Sequence, residues 1–107
     1  MFELLRFQGK DGREPLTEWM RCLRDRQAYA HVLARLDRLE NGNFGQCRPL
    51  RGGVWELKID HGPGYRVYYG QVGKTILLLL CGGDKRTQQA DIERAIEYWK
   101  DFRNRQK

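Results

Sequence analysis

The chain has 107 residues, enough for one domain with a modest core and too few for two. Apolar residues at 40% and charged residues at 32% fit a globular fold and argue against disorder along most of its length. Lys and Arg outnumber Asp and Glu by 20 to 14, a formal net charge of +6, which favours polyanionic partners over acid-repelling ones.

Phe2 to Phe7 is short, apolar-rich and bounded by Gly9-Lys10-Asp11-Gly12, the pattern of a first strand ending in a turn. Leu16, Trp19, Met20 and Leu23 then fall at i, i+3, i+4 and i+7 behind Pro15, which predicts a helix with one apolar face over Pro15 to Leu23. Tyr29, Val32, Leu33, Leu36 and Leu39 continue as a second helix that stops at a left-handed cap in Asn41-Gly42-Asn43. Trp55, Leu57 and Ile59 alternate with Glu56 and Lys58, so Val54 to Ile59 is a strand with one buried and one polar face. Asp60-His61-Gly62-Pro63-Gly64 turns the chain into a returning aromatic and β-branched strand, Tyr65 to Val72. Another turn leads to Thr75 to Leu80, an unbroken apolar run suited to a central strand covered on both faces. Thr87 to Arg105 closes the chain as a helix capped by Thr87, with an apolar stripe of Ile92, Ala95, Ile96, Trp99 and Phe102. The order β-α-α-β-β-β-α predicts a single α+β domain over residues 1–107, a mostly antiparallel sheet packed against helices. Trp19, Trp55 and Trp99 stand at core spacing and are expected to be buried.

No basic segment followed by a long apolar run opens the chain, so neither a signal peptide nor a membrane span is expected. Cys22, Cys47 and Cys81 are odd in number and far apart, with no metal-ligand spacing to His31 or His61; the expected compartment is a reducing cytosol, and no metal or cofactor is expected. Neither histidine has an evident partner for paired acid–base work. Cys81 follows a buried strand without an adjacent base, so it reads as a structural thiol.

Two places carry candidate chemistry. In the simplest hairpin register Ile59 opposes Tyr65, so Lys58 opposes Arg66 and Glu56 opposes Tyr68, all four on the exposed polar face. Like charges placed opposite each other weaken a sheet, and a phosphate between them relieves the repulsion. A two-residue slip would instead pair Glu56 with Arg66 as an ordinary salt bridge, and the sequence leaves both open. The second place is Cys81-Gly82-Gly83-Asp84-Lys85-Arg86-Thr87, read as a loop in which Gly82 and Gly83 admit a phosphate, Thr87 opens a helix N-terminus and Lys85 and Arg86 add charge. The alternative is a loop that needs glycine only to turn. No phosphate-binding P-loop pattern occurs.

Three segments together, Leu50 to Leu57, Gly64 to Tyr69 and Leu78 to Lys85, resemble the phage-derived addiction-module killer proteins, a HigB-like branch of the RelE/ParE toxin superfamily. The resemblance spans nearly the whole chain. It implies the RelE/ParE-like α+β fold and a toxin neutralised by a cognate antitoxin, in this branch usually of helix-turn-helix type. RelE and HigB relatives cleave mRNA on the ribosome, whereas ParE relatives share the fold and poison DNA gyrase, and fold cannot decide between them. Arg66 matches the family's arginine on the returning strand, and Lys85 or Arg86 its basic position before the last helix; some HigB relatives use histidines where this chain has only His61. Cleavage by 2′-hydroxyl attack needs positive charge on the phosphorane, which Arg51, Arg66, Lys85 and Arg86 can supply, with Lys58 a further phosphate-binding candidate. Glu56 is the candidate base, and Tyr68, with a pKa lowered by nearby cations, the candidate acid or base. The remaining alternative is a basic nucleic-acid-binding module in which these charges only position backbone.

Overall fold

Short apolar strands separated by glycine turns assemble into one five-stranded sheet in the computed structural model, which describes residues 1–106. The strands are β1 (Glu3–Arg6), β2 (Cys47–Pro49), β3 (Trp55–Ile59), β4 (Tyr65–Val72) and β5 (Ile76–Asp84), in the spatial order β1-β5-β4-β3-β2. Consecutive strands from β2 to β5 pair antiparallel, and β1 joins β5 in parallel. The sheet is therefore mixed, and the fold is α+β with three helices: α1 (Pro15–Arg21), α2 (Arg26–Glu40) and α3 (Gln88–Arg105). No helix among the described residues is long and apolar enough to cross a membrane.

Two cores flank the sheet, as the apolar run of β5 requires. Leu77 and Leu79 pack with Leu57, Val67 and Tyr69 under Leu16 and Met20 of α1 and Val32, Leu36 and Leu39 of α2. Leu78 and Leu80 face the other way, onto Ile92, Ala95, Ile96 and Trp99 of α3. Helix α2 ends as expected: Gly42 adopts φ +87°, the Asn43 amide donates to the Arg38 carbonyl and the Gly42 amide to that of Leu39, a Schellman closure that glycine alone adopts without strain.

The structure corrects the sequence reading in four places. Strand β2 leaves no mark in the sequence: three residues ending in proline at a sheet edge carry no periodicity. Trp55 is 36% exposed: it opens β3 opposite Pro49 of the edge strand, with its ring stacked on Tyr69. Gly82 and Gly83 are not a loop. They lie inside β5, buried, and a Cβ on Gly82 would overlap the Trp19 ring while one on Gly83 would overlap the Asp91 carboxylate. Their glycine identity thus serves close packing on both faces rather than phosphate access. Finally, Thr87 does not cap α3 with its side chain; its hydroxyl donates to the Asp91 carboxylate at 2.5 Å, and Asp84 caps the preceding Lys85–Thr87 turn by accepting from the Arg86 amide.

Candidate functional site: a cationic cleft on the sheet

The hairpin adopts the simple register. Lys58 stands opposite Arg66 and Glu56 opposite Tyr68, and β2 extends the row by setting Arg48 opposite Glu56. Alternation along each strand puts all five side chains on the α3 side of the sheet. Helix α3 crosses β5 and β4, so the row divides: Tyr68 goes under the helix, and the part over β3 and β2 stays open. The opening is a cleft of about 500 Å³ lined by Gln46, Cys47, Arg48, Glu56, Lys58, Arg66 and Gln88.

Glu56 is the centre of this cleft and is only 3% exposed. Its Oε1 accepts from Arg48 Nε at 2.8 Å, its Oε2 accepts from Gln88 Nε2 at 2.8 Å, and Arg66 Nε stands 3.7 Å from the same Oε2. The Glu56–Arg66 attraction foreseen for the slipped register is thus present diagonally in the unslipped one. Arg66 is 7% exposed; its Nη1 donates to the Gly64 carbonyl at 2.7 Å, while its buried Nε has no hydrogen-bond partner. A buried donor left unpaired is costly, and this one faces the cleft's anion.

Tyr68 departs from its expected place. It is fully buried, and its pKa is raised, not lowered: burial acts first, then the charges of Glu56 and Asp91, with Arg66 opposing them. Its hydroxyl has no partner. Removing a buried, unpaired hydroxyl relieves a desolvation cost, so Tyr68→Phe is expected to leave the melting temperature unchanged or raise it by a few degrees, as scanning calorimetry would show; a loss of several degrees would reveal a bond to this oxygen.

The remaining candidates lie elsewhere. Arg51 is exposed in a turn between β2 and β3 and does not line the cleft. Lys85 and Arg86 are exposed in the turn before Gln88, and Arg86 is tied to Asp84 at 2.8 Å, which holds that carboxyl below its ordinary range. Gly82, Gly83 and Thr87 line a separate hollow between α1 and α3 with Trp19 and Asp91. Cys81 donates to the Asp91 carbonyl, and burial, then the Asp91 charge, pushes its thiol up to about 12, as a structural thiol requires. His61 does have partners: its Nε2 lies 3.1 Å from Asp25 Oδ2 and its ring stacks on His31 at 4.4 Å, at the hairpin tip outside the cleft lining. Sequence reasoning counts Arg48 only in the basic excess of the Phe44–Ala90 region, without a place in the site, and gives Gln88 no role. Arg48 sits on the unreadable β2, and Gln88, an unremarkable first residue of a helix, gains meaning only from the carboxylate it meets.

A family comparison matches residues 18–100 to the model described as phage derived protein Gp49-like. The chain belongs to this Gp49-like family. A relative from Haemophilus influenzae (strain Rd), described as an uncharacterized protein, is 46% identical over 77 residues, covering 72% of this chain and 78% of the relative. The Gp49-like family is associated with toxin–antitoxin modules. The matched span contains β2 to β5 and most of α3, hence every residue that lines the cleft.

Proposed function

We propose that this Gp49-like chain is the toxin of a toxin–antitoxin pair, a protein of the RelE/HigB kind that cuts messenger RNA on the ribosome in the cytosol and is silenced by a cognate antitoxin of helix-turn-helix type. The observation that carries the reading is the cleft, where Arg48, Lys58 and Arg66 surround one buried carboxylate and leave cationic surplus at a site wide enough for RNA backbone. In the reaction the ribose 2′-oxygen bonds to the adjacent phosphorus as its proton passes to solvent water, the bond to the 5′-oxygen breaks, and that oxygen takes a proton back from solvent, so that no net proton is gained or lost. The products are a cyclic phosphate and a 5′-hydroxyl end. The arginines and Lys58 stabilise charge on the phosphorane. Because both oxygens of Glu56 are engaged and Tyr68 is buried, alignment of the message by the ribosome carries much of the rate.

Expression of the chain without antitoxin is expected to arrest growth and to give translated transcripts new 5′-hydroxyl ends within codons, read by end mapping across the transcriptome. Intact messages together with gyrase-linked DNA breaks would replace this reading with the ParE-like one. Intact messages and intact DNA would leave a basic binding module.

A further inference from the structure

We propose that Arg48 and Arg66 form a two-armed clamp for a single phosphate of the RNA backbone, and that Glu56 is the positioning residue that aims both arms rather than the group that accepts the 2′-proton. The proposal rests on the cleft being the place where RNA is met, and it adds to that reading a residue outside the expected set, Arg48, and a different task for Glu56.

The hydrogen bonds assign the tasks. A proton acceptor needs a free oxygen facing the substrate. Glu56 presents none: each oxygen already accepts one bond, from Arg48 Nε and from Gln88 Nε2, and the lone pairs left over lie beneath these partners in a carboxylate that is 3% exposed. Arg48 commits only Nε to Glu56. Its side chain remains 60% exposed, so the paired η nitrogens, the edge of the fork that matches two phosphate oxygens, face the open cleft. Arg66 comes from the other side of the carboxylate, anchored through Nη1 to Gly64 and with its Nε 3.7 Å from Glu56 Oε2. Two guanidiniums, one on an edge strand and one on an inner strand, are thus fixed on a shared counter-ion. Lys58, next to Arg66 across the ladder, adds a third positive charge against the one carboxylate. An anion fits that balance; a cationic or apolar ligand does not. Without Glu56 the three cations would repel and splay. With it, they are held in place before any phosphate arrives, and the clamp binds without reordering.

Glu56→Gln separates aiming from proton transfer. The amide keeps the shape of the carboxylate: its carbonyl can still accept from Arg48, and Gln88 can turn its own carbonyl to the new amide. Only the negative charge goes. The probe is a short RNA made uncleavable by a 2′-deoxy substitution, its affinity measured at two salt concentrations beside single-turnover cleavage of message on ribosomes and a melting curve for each variant. With the counter-ion neutralised the arms are held less firmly, so Glu56→Gln should bind the probe several-fold more weakly and lose cleavage by a similar factor, the two falling together. Arg48→Ala, at a side chain that is 60% exposed, should weaken the probe about tenfold and lower the salt slope by about one, its melting curve reporting what the lost pair with Glu56 costs the fold. Arg48→Lys should restore the slope but not the full affinity, because a point charge lacks the fork. Cleavage falling more than about 100-fold in Glu56→Gln with probe affinity unchanged would make Glu56 the proton acceptor and overturn the proposal. So would an Arg48→Ala variant that leaves affinity and slope as they were. A parent chain that binds the probe through Arg48 yet leaves ribosome-bound message intact upholds the clamp and overturns the nuclease reading alone.

Discussion

Trp99→Ala is expected to cost about 3–5 kcal/mol of stability, lowering the melting temperature by more than about 10 °C for a domain of this size. The ring is 6% exposed, stacks on Phe102 at 5.9 Å and lies so close over Gly70 of β4 that a Cβ there would overlap it. It fills the contact between α3 and the sheet, and α3 in turn brings Gln88 to Glu56. Truncation therefore opens a cavity under the helix whose first residue closes one side of the cleft. Trp55→Ala is the informative comparison. The spacing of the sequence assigns both tryptophans to the core, yet Trp55 is a third exposed, and its removal should cost roughly 1–2 kcal/mol, in line with the smaller area it buries. Thermal melts of the two variants test this, and equal losses would contradict the packing described for α3.

Arg66→Lys is expected to reduce cleavage of ribosome-bound message by a factor on the order of 10²–10³ while lowering stability by only about 1 kcal/mol. Lysine keeps one charge beside Glu56, so the buried carboxylate stays compensated. It loses the bond to Gly64 and the planar group that meets a phosphate. Arg66→Ala is a poorer probe than the exposed strand face foreseen for it would have made it. With Arg66 buried against Glu56, alanine leaves a carboxylate short of one cation at a cost on the order of 1–3 kcal/mol, so lost activity would be mixed with lost folding. Single-turnover rates and melts of the lysine variant separate the two, and a parent-like rate in a well-folded Arg66→Lys would place the chemistry elsewhere.

Much of this architecture was legible in the sequence because it rests on local periodicity. The alternation around Leu57, the apolar stripe of α3 and the Gly42 cap each depend on residues within a turn or two of one another, and the hairpin register follows from a turn bracketed by Ile59 and Tyr65. The parallel pairing of β1 with β5 joins segments far apart in the chain and leaves no local mark. The site was half legible for the same reason. Glu56, Lys58 and Arg66 are placed together by the hairpin, so their meeting could be read. Their burial could not, since it depends on where α3 crosses the sheet and on β2 arriving at the edge. Tyr68 shows the consequence: it shares the predicted face with Glu56, but the helix turns that part of the face into core and reverses the expected direction of its pKa shift. The glycines of β5 mislead in the opposite sense, since a glycine pair before cations suggests a phosphate loop, whereas Trp19 and Asp91 press on them from opposite faces of a strand.

The central claim is that the cleft cuts RNA held by the ribosome. Its most direct test is to mix the purified chain with one defined message, free or programmed on ribosomes with a chosen codon in the decoding site, and to sequence the ends produced. The account predicts cleavage within that codon, with a new 5′-hydroxyl end, only when the ribosome is present, and its near disappearance with Arg66→Lys. A message that stays whole on the ribosome, or is cut equally well when free, would contradict it.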